Sequence, residues 1–162
     1  MIVHTDVFSG NELISGAYMP KLIHHDAVLV AKSKMIEIND NVQIGDEEEN
    51  NDTEKVNNIL HAFKYQPTQL DKKTFMGWAK QYMKKIMGYL KENGKEDRVK
   101  EFQAGATEWI KFVVSKYKDF EFYTPDDFDM ENGLIMSYWQ DEENDEAPTF
   151  AYFADGLKEC KF

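Results

Sequence analysis

Apolar positions in this chain change period twice. Short, roughly alternating runs fill the first part, two long stripes at helical spacing fill the middle, and alternation returns at the end. Met1 to Val7 reads as a short strand, Ser9-Gly10-Asn11 as a turn, and Glu12 to Tyr18 as a further β-like run broken at Pro20. Ala27 to Ile38 (AVLVAKSKMIEI) is apolar first and alternating later, the pattern of a strand or a hairpin. Asn39 to Glu54 has only Val42 and Ile44 as apolar side chains, too few to offset its ordering entropy, which predicts a mobile acidic loop over 39–54. Lys55 to Tyr65 has an ambiguous period that leans towards a strand, ended by Pro67.

The middle of the chain is clearer. Phe75, Trp78, Ala79, Tyr82, Met83, Ile86 and Leu90 form one stripe of an amphipathic helix, with Asp71 placed to cap it. Gly77 and Gly88 each weaken such a helix by about 1 kcal/mol relative to alanine, which suggests close packing at both. Gly94 suits the left-handed residue that closes it, and Glu96 and Asp97 suit the first turn of a second helix. Val99, Phe102, Ala106, Trp109, Ile110, Val113, Val114 and Tyr117 make the second stripe. So short a connection predicts an antiparallel helical hairpin over 71–118. Beyond it, Phe120 to Tyr123 alternates and stops before Pro125. Leu134 to Trp139 and Thr149 to Ala154 read as a strand pair joined by the acidic loop Asp141 to Glu146, and Asp155-Gly156 is a turn. There is no internal repeat, and 162 residues suit a single domain. The expected class is α+β.

Charge sharpens this picture. Between Lys72 and Lys118 there are twelve basic and five acidic residues, a formal charge of +7. The remainder holds seven basic against 25 acidic residues, or −18, so a basic helical arm sits on an acidic β body. That is the composition of a binding protein. The overall charge of −11 disfavours nucleic acid and anionic lipid except through the arm. No aromatic-lined basic groove is visible, and Trp78 and Trp109 fall on core stripes, so nucleic acid is the weaker of the acidic partners. Lysines on an outer helical face are usually plain solvation, but this excess points to an acidic partner docking at Lys80, Lys84 and Lys85.

Candidate chemistry is sparse. His24 and His25 are adjacent, and neighbours on a strand point to opposite faces, which makes a poor metal clamp. The lone Cys160 excludes an internal disulfide framework, although it could link two chains under oxidation. Glu47-Glu48-Glu49 and the acids of 141–146 could attract calcium weakly, without the ligand order of a helix–loop–helix calcium site. No phosphate-cradling glycine motif and no nucleophile–base set is present, so catalysis is the least supported reading. The chain lacks a basic and apolar leader pattern and any apolar run of the roughly 20 residues that span a bilayer. The expectation is a soluble cytosolic protein. Asn51-Asp52-Thr53 fits a glycosylation sequon that would then go unused.

Several segments resemble the translationally controlled tumour protein family. They are Tyr82 to Ile86, Asp97 to Phe102, Gly105-Ala106, Trp109 to Lys111, Phe120 to Tyr123 and Asp155 to Glu159. The start is similar too, through Met1-Ile2-Val3, Asp6, Ser9, Glu12, Leu13, Ser15 and Tyr18, and Ile44-Gly45 opens a similar loop. The resemblance implies a β-tent body, like that of chaperones for nucleotide-free Rab GTPases, with a protruding two-helix hairpin. It implies a non-enzymatic role in growth control through binding or nucleotide exchange on a Rheb- or Rab-like small GTPase, with Glu12 at the contact. It also implies association with the elongation factor complex, tubulin, anti-apoptotic proteins and calcium. The implied location is the cytoplasm, in part the nucleus, with release from cells lacking a signal peptide. Three positions depart from the family pattern. Ile44-Gly45 runs into Asp46-Glu47-Glu48-Glu49, Thr124-Pro125 replaces a Gly-Glu pair, and Gly16 follows Ser15 where an aspartate is common.

Overall fold

A computed structural model of the protein describes residues 1–39 and 53–162. Its elements, in chain order, are β1 (Ile2–Asp6), β2 (Glu12–Ser15), β3 (Lys21–Ile23), β4 (Val28–Lys32), β5 (Met35–Asn39), β6 (Thr53–Asn57), α1 (Asn58–Phe63), β7 (Gln66–Thr68), α2 (Lys72–Glu92), α3 (Val99–Ser115), β8 (Glu121–Thr124), β9 (Ile135–Tyr138), β10 (Thr149–Phe153) and β11 (Leu157–Lys161). The strands form a six-stranded sheet ordered β3-β4-β10-β9-β8-β7, a three-stranded sheet ordered β11-β1-β2, and the pair β5-β6. All pairings are antiparallel, so with the helical hairpin the class is α+β.

Alternation along the strands explains the layering, because successive side chains face opposite sides of a sheet. Val28 and Val30 of β4, Met136 and Tyr138 of β9, and Ala151 and Phe153 of β10 pack with the stripes of α2 and α3. Leu29, Ala31, Ile135, Phe150 and Tyr152 face the other way, onto Leu13, Ile14, Ile59 and Tyr65. The six-stranded sheet is therefore the middle layer, with the hairpin on one face and β2 and α1 on the other. Every residue of β9 and β10 is buried.

The hairpin forms as the pattern predicts. Asp71 accepts the Thr74 amide at 2.7 Å, capping α2. Gly94, at φ +73°, ends it, and the Lys95 amide returns to the Leu90 carbonyl at 2.8 Å. Phe75, Tyr82, Ile86 and Leu90 of α2 and Phe102, Trp109 and Val113 of α3 are buried.

Three expectations change, and a fourth falls mostly outside the described residues. The strand-like run from Lys55 to Tyr65 is β6 followed by a short helix, because the Asn57 side chain accepts the amides of Ile59 and Leu60, both at 3.1 Å. Residues 27–38 form two strands in different sheets rather than a hairpin, since β5 pairs with β6 and β4 with β3 and β10. The acidic loop expected over 39–54 lies outside the described residues at 40–52, while its ends, Asn39 and Thr53, belong to β5 and β6. Gly77 and Gly88 are not packing positions, because a Cβ on either meets nothing within 4 Å. Close approaches are at Gly105, where a Cβ would overlap the His24 carbonyl and come within 2.7 Å of Ala27 Cβ, and at Gly156, where it would come within 2.7 Å of the Tyr82 hydroxyl.

The glycines therefore separate by sign. Gly105→Ala forces α3 off the β3–β4 turn and should lower stability in urea by about 1–3 kcal/mol. Gly77→Ala and Gly88→Ala should each raise it by about 0.5–1 kcal/mol. Equal effects at all three positions would contradict this packing.

Candidate functional site

Glu12 opens β2, an edge strand of the three-stranded sheet, and its side chain is exposed. The register of β2 on β1 slips between His4 and Thr5, opposite this position, so Glu12 sits at a bulged edge. No ion pair or side-chain hydrogen bond engages its carboxylate among the described residues. Beside it the Asn11 amide donates to both carboxylate oxygens of Asp127, at 3.1 and 3.3 Å, which brings the acidic 126–132 connection to the same edge. Gly16 follows the short β2, and a Cβ there would meet the Ile2 carbonyl at 3.4 Å, an ordinary contact.

Behind that edge lies a polar bolt that sequence reasoning missed. Asp6, the last residue of β1, is fully buried. Its carboxylate accepts the Tyr82 hydroxyl at 2.6 Å, the Ser9 amide at 2.6 Å, the Ser9 hydroxyl at 2.8 Å and the Phe8 amide at 3.1 Å. Four donors compensate the loss of water around a buried carboxylate. Burial, and then the Asp6 charge, pushes the Tyr82 hydroxyl well above the ordinary tyrosine range, so it stays a donor. The bolt ties α2 to the strand that holds the Glu12 edge.

The three lysines of the hairpin do not act alike. Lys80 and Lys84 are exposed on the outer side of α2, and Lys80 borders a shallow hollow with Lys72, Lys73, Met76 and Gly77. Lys85 instead turns inward. Its ammonium donates to the Asn132 side chain and lies 4.5 Å from the centre of the Phe8 ring. The docking set expected from charge thus reduces to Lys80 and Lys84, with Lys85 committed to the body.

The largest correction concerns His24 and His25. They occupy a turn between β3 and β4, not a strand, and His24, His25 and Asp26 are all left-handed, at φ 52°, 56° and 61°. Such a conformation costs about 1–2 kcal/mol per residue. It also swings both rings to one side. Glu108 of α3 receives His24 Nδ1 at 3.0 Å and His25 Nε2 at 3.2 Å, and Glu101 lies 3.0 Å from His25 Nδ1. Next to them Arg98 grips Asp155 through two hydrogen bonds of 2.8 and 3.1 Å and donates to the His25 carbonyl at 2.7 Å. These contacts clasp α3 to the turn that Gly105 approaches. The glycine in the middle of a helical stripe was the only sequence signal for them.

No histidine in the described residues has a hydroxyl or thiol partner, and no group of three or more His, Cys, Asp or Glu residues there could hold a metal ion. The carboxylates of Asp141 and Asp145 accept amides of their own loop. A cavity of about 660 Å³ lies on the β body and is lined in part by His4, Met19, Leu22, Arg98 and Glu159. No helix among the described residues is long and apolar enough to cross a membrane.

This architecture, an antiparallel β body covered on one face by a two-helix hairpin, is that of a known class. Residues 1–158 match the family model described as translationally controlled tumour protein, and the chain belongs to that family. A homologue from Kluyveromyces lactis is 38% identical with 98% of each chain covered, and one from Candida albicans is 36% identical with 99% of each covered. The solved structure of the translationally controlled tumour-associated protein of Schizosaccharomyces pombe superposes with a TM-score of 0.84 at 31% identity, each chain covered in full. The Caenorhabditis elegans family structure, at 20% identity and a TM-score of 0.72, shares the fold. The family is not named for an enzymatic activity.

The clasp has a pH signature. Hydrogen bonds from His24 and then His25 hold the Glu108 carboxyl below its ordinary value of 4.5. A carboxyl lowered in the folded state contributes stability above its unfolded value and loses it as pH falls through the folded value. Between pH 5 and 3 the urea midpoint of the wild type should therefore fall further than that of Glu108→Gln, which should start lower at pH 7. Parallel curves for the two proteins would remove Glu108 from the clasp.

Proposed function

We propose that this chain is a non-enzymatic cytosolic interaction protein that binds a small GTPase of the Rheb or Rab type through the acidic edge around Glu12. Binding there would promote nucleotide release or chaperone the nucleotide-free form, in the service of growth control. The carrying observation is the exposed Glu12 carboxylate, without a partner among the described residues, at a bulged strand edge that the Asp6–Tyr82 bolt holds from behind. A free charge on a rigid edge is a recognition element, because no internal contact has to break for it to meet a basic partner. Association with the elongation factor complex, partial nuclear residence and release from cells belong to the same reading through family membership. Weak calcium binding would follow from the acidity of the body alone.

A second reading is supported by the exposed pair Lys80 and Lys84. The hairpin would dock an acidic partner such as a tubulin tail, and the contact would weaken steeply with salt.

Release of a fluorescent guanine nucleotide from a Rheb-type GTPase tests the first reading. The wild type should accelerate release, Glu12→Val should abolish the effect with an unchanged unfolding midpoint, and Gly16→Asp, which the space at that position admits, should enhance it. No acceleration by wild type at high micromolar concentration would end the exchange reading.

Tubulin co-sedimentation at two salt concentrations tests the second. Lys80→Glu with Lys84→Glu should cut binding at low salt without loss of stability, whereas Lys85→Glu should lower the urea midpoint. Salt-independent binding, or no loss in the double variant, would remove the hairpin from the contact.

A further inference from the structure

The C-terminal end of α3 and the adjoining ends of β8 and β9 enclose a cleft of about 600 Å³, away from both Glu12 and Lys80 in the chain. Its apolar lining is entirely aromatic, namely Phe112, Phe120, Tyr138 and Trp139. Phe120 and Tyr138 stack with ring centres 5.1 Å apart and 16° between planes. Phe112 stands nearly perpendicular to both, at 81° and 75°. Phe120 and Tyr138 are nearly buried, at 7% and 8% exposure, and form the floor of the trough, while Trp139, at 39%, is its most open ring.

The polar groups of the trough are mixed, with Lys116 and the Trp139 indole as donors, Asp119 and Glu142 as acceptors, and Tyr138 and Gln140 able to do both. Trp139 is 39% exposed, and its indole N–H has no hydrogen-bond partner among the described residues, although those of Trp78 and Trp109 both do. The Tyr138 oxygen accepts from the Gln140 side chain at 3.1 Å, which leaves its own proton free to donate. A large exposed indole with a spare donor lacks a structural use in the free molecule. Acids border the trough at Asp119 and Glu142, and Glu142 opens onto a 141–146 loop with five acidic residues and no basic one.

We infer that this trough is a docking site for a proline-rich segment in the polyproline II conformation that carries a basic residue at the end lying towards Glu142. Proline rings pack on flat aromatic walls, and a polyproline II helix is extended, preorganised and free of internal hydrogen bonds. Its carbonyls are free acceptors, and proline has no N–H, which matches the two donors without an acceptor among the described residues, the Trp139 indole N–H and the Tyr138 hydroxyl. An α-helical ligand fits less well because its carbonyls are already used. The acidic border selects against acidic peptides, and Lys116 in the lining opposes a lone organic cation at the centre. The basic end of the peptide completes the match by charge.

Fluorescence anisotropy of a labelled nonaproline ending in Arg-Arg, titrated with the full chain, tests this. Saturable binding should appear, with the Trp139 indole N–H resonance shifting in parallel. Trp139→Ala should weaken binding by about tenfold, the scale of an interface anchor, while leaving the unfolding midpoint unchanged. Trp139→Phe should lose less, because it keeps an aromatic ring while losing the donor and part of the ring area. Glu142→Lys should weaken binding several-fold at low salt. An equal affinity for a Gly-Ser peptide ending in Arg-Arg would reduce the contact to charge and overturn the assignment. So would unchanged binding in Trp139→Ala, or the absence of saturation at millimolar peptide. Trimethyllysine binding more tightly than the proline peptide would reassign the trough to organic cations.

Discussion

Strands β9 and β10 have no solvent face, and the rest of the molecule is arranged to satisfy that. A sheet buried on both sides needs two separate apolar covers. The hairpin supplies one through aligned stripes on α2 and α3, and β2 with α1 supplies the other. Each cover must then be fastened by something other than apolar area, which has no direction. The fasteners are polar and local. Asp6 with Tyr82 fixes α2 against β1, Arg98 with Asp155 fixes the start of α3, and the Tyr65 hydroxyl, 2.6 Å from that of Tyr152, fixes the opposite layer. Directional contacts at the margins choose one arrangement among the many that would bury the same surface.

The contrast of charge along the chain acquires a finer meaning. Part of the basic excess in the hairpin is structural, since Arg98 and Lys85 are both spent on the body. Two of the segments that relate this chain to its family, around Arg98 and around Asp155, meet through that ion pair across 57 residues of sequence. What remains on the outer side of α2, including Lys80 and Lys84, is a smaller and more regular field than the count suggested. The acidic body likewise divides into acids that cap turns, such as Asp141, and acids such as Glu12 that meet no partner among the described residues.

Legibility in the sequence followed the range of the interaction. The helical stripes, the Asp71 cap, the Gly94 stop and the β9–β10 pair are set by residues a few positions apart, and each was readable. The separation of β4 from β5 depends on which distant strand each one meets, which no local period records. Asn57 converts a strand into a helix through two side-chain hydrogen bonds, a signal drowned by the β-branched and aromatic residues around it. His24 and His25 were misread because adjacency was taken to mean a strand, whereas three left-handed residues in a row are held by α3 contacts more than 70 positions away. Gly105 was quoted for its family likeness but not for its geometry, and only the fold shows which glycine is pressed. The contact role of Glu12 is what the resemblance implies; its place on a bulged edge strand, without a partner among the described residues, comes from the fold.

The pairing of β1 with β11 carries a consequence in time. Thr5 faces Lys158 and Val3 faces Cys160, so the centre strand of the three-stranded sheet has its two neighbours at opposite ends of the sequence. During synthesis at roughly 5–20 residues per second, β1 and β2 would wait on the order of ten seconds or more before β11 exists. In that interval one edge of β1 is open, and Asp6 can find Tyr82 long before Leu157 arrives. The buried carboxylate is then an early anchor around which the hairpin can settle. Because β10 precedes β11 by a single short turn, the central sheet and the open edge of β1 are completed almost together, at the end of synthesis.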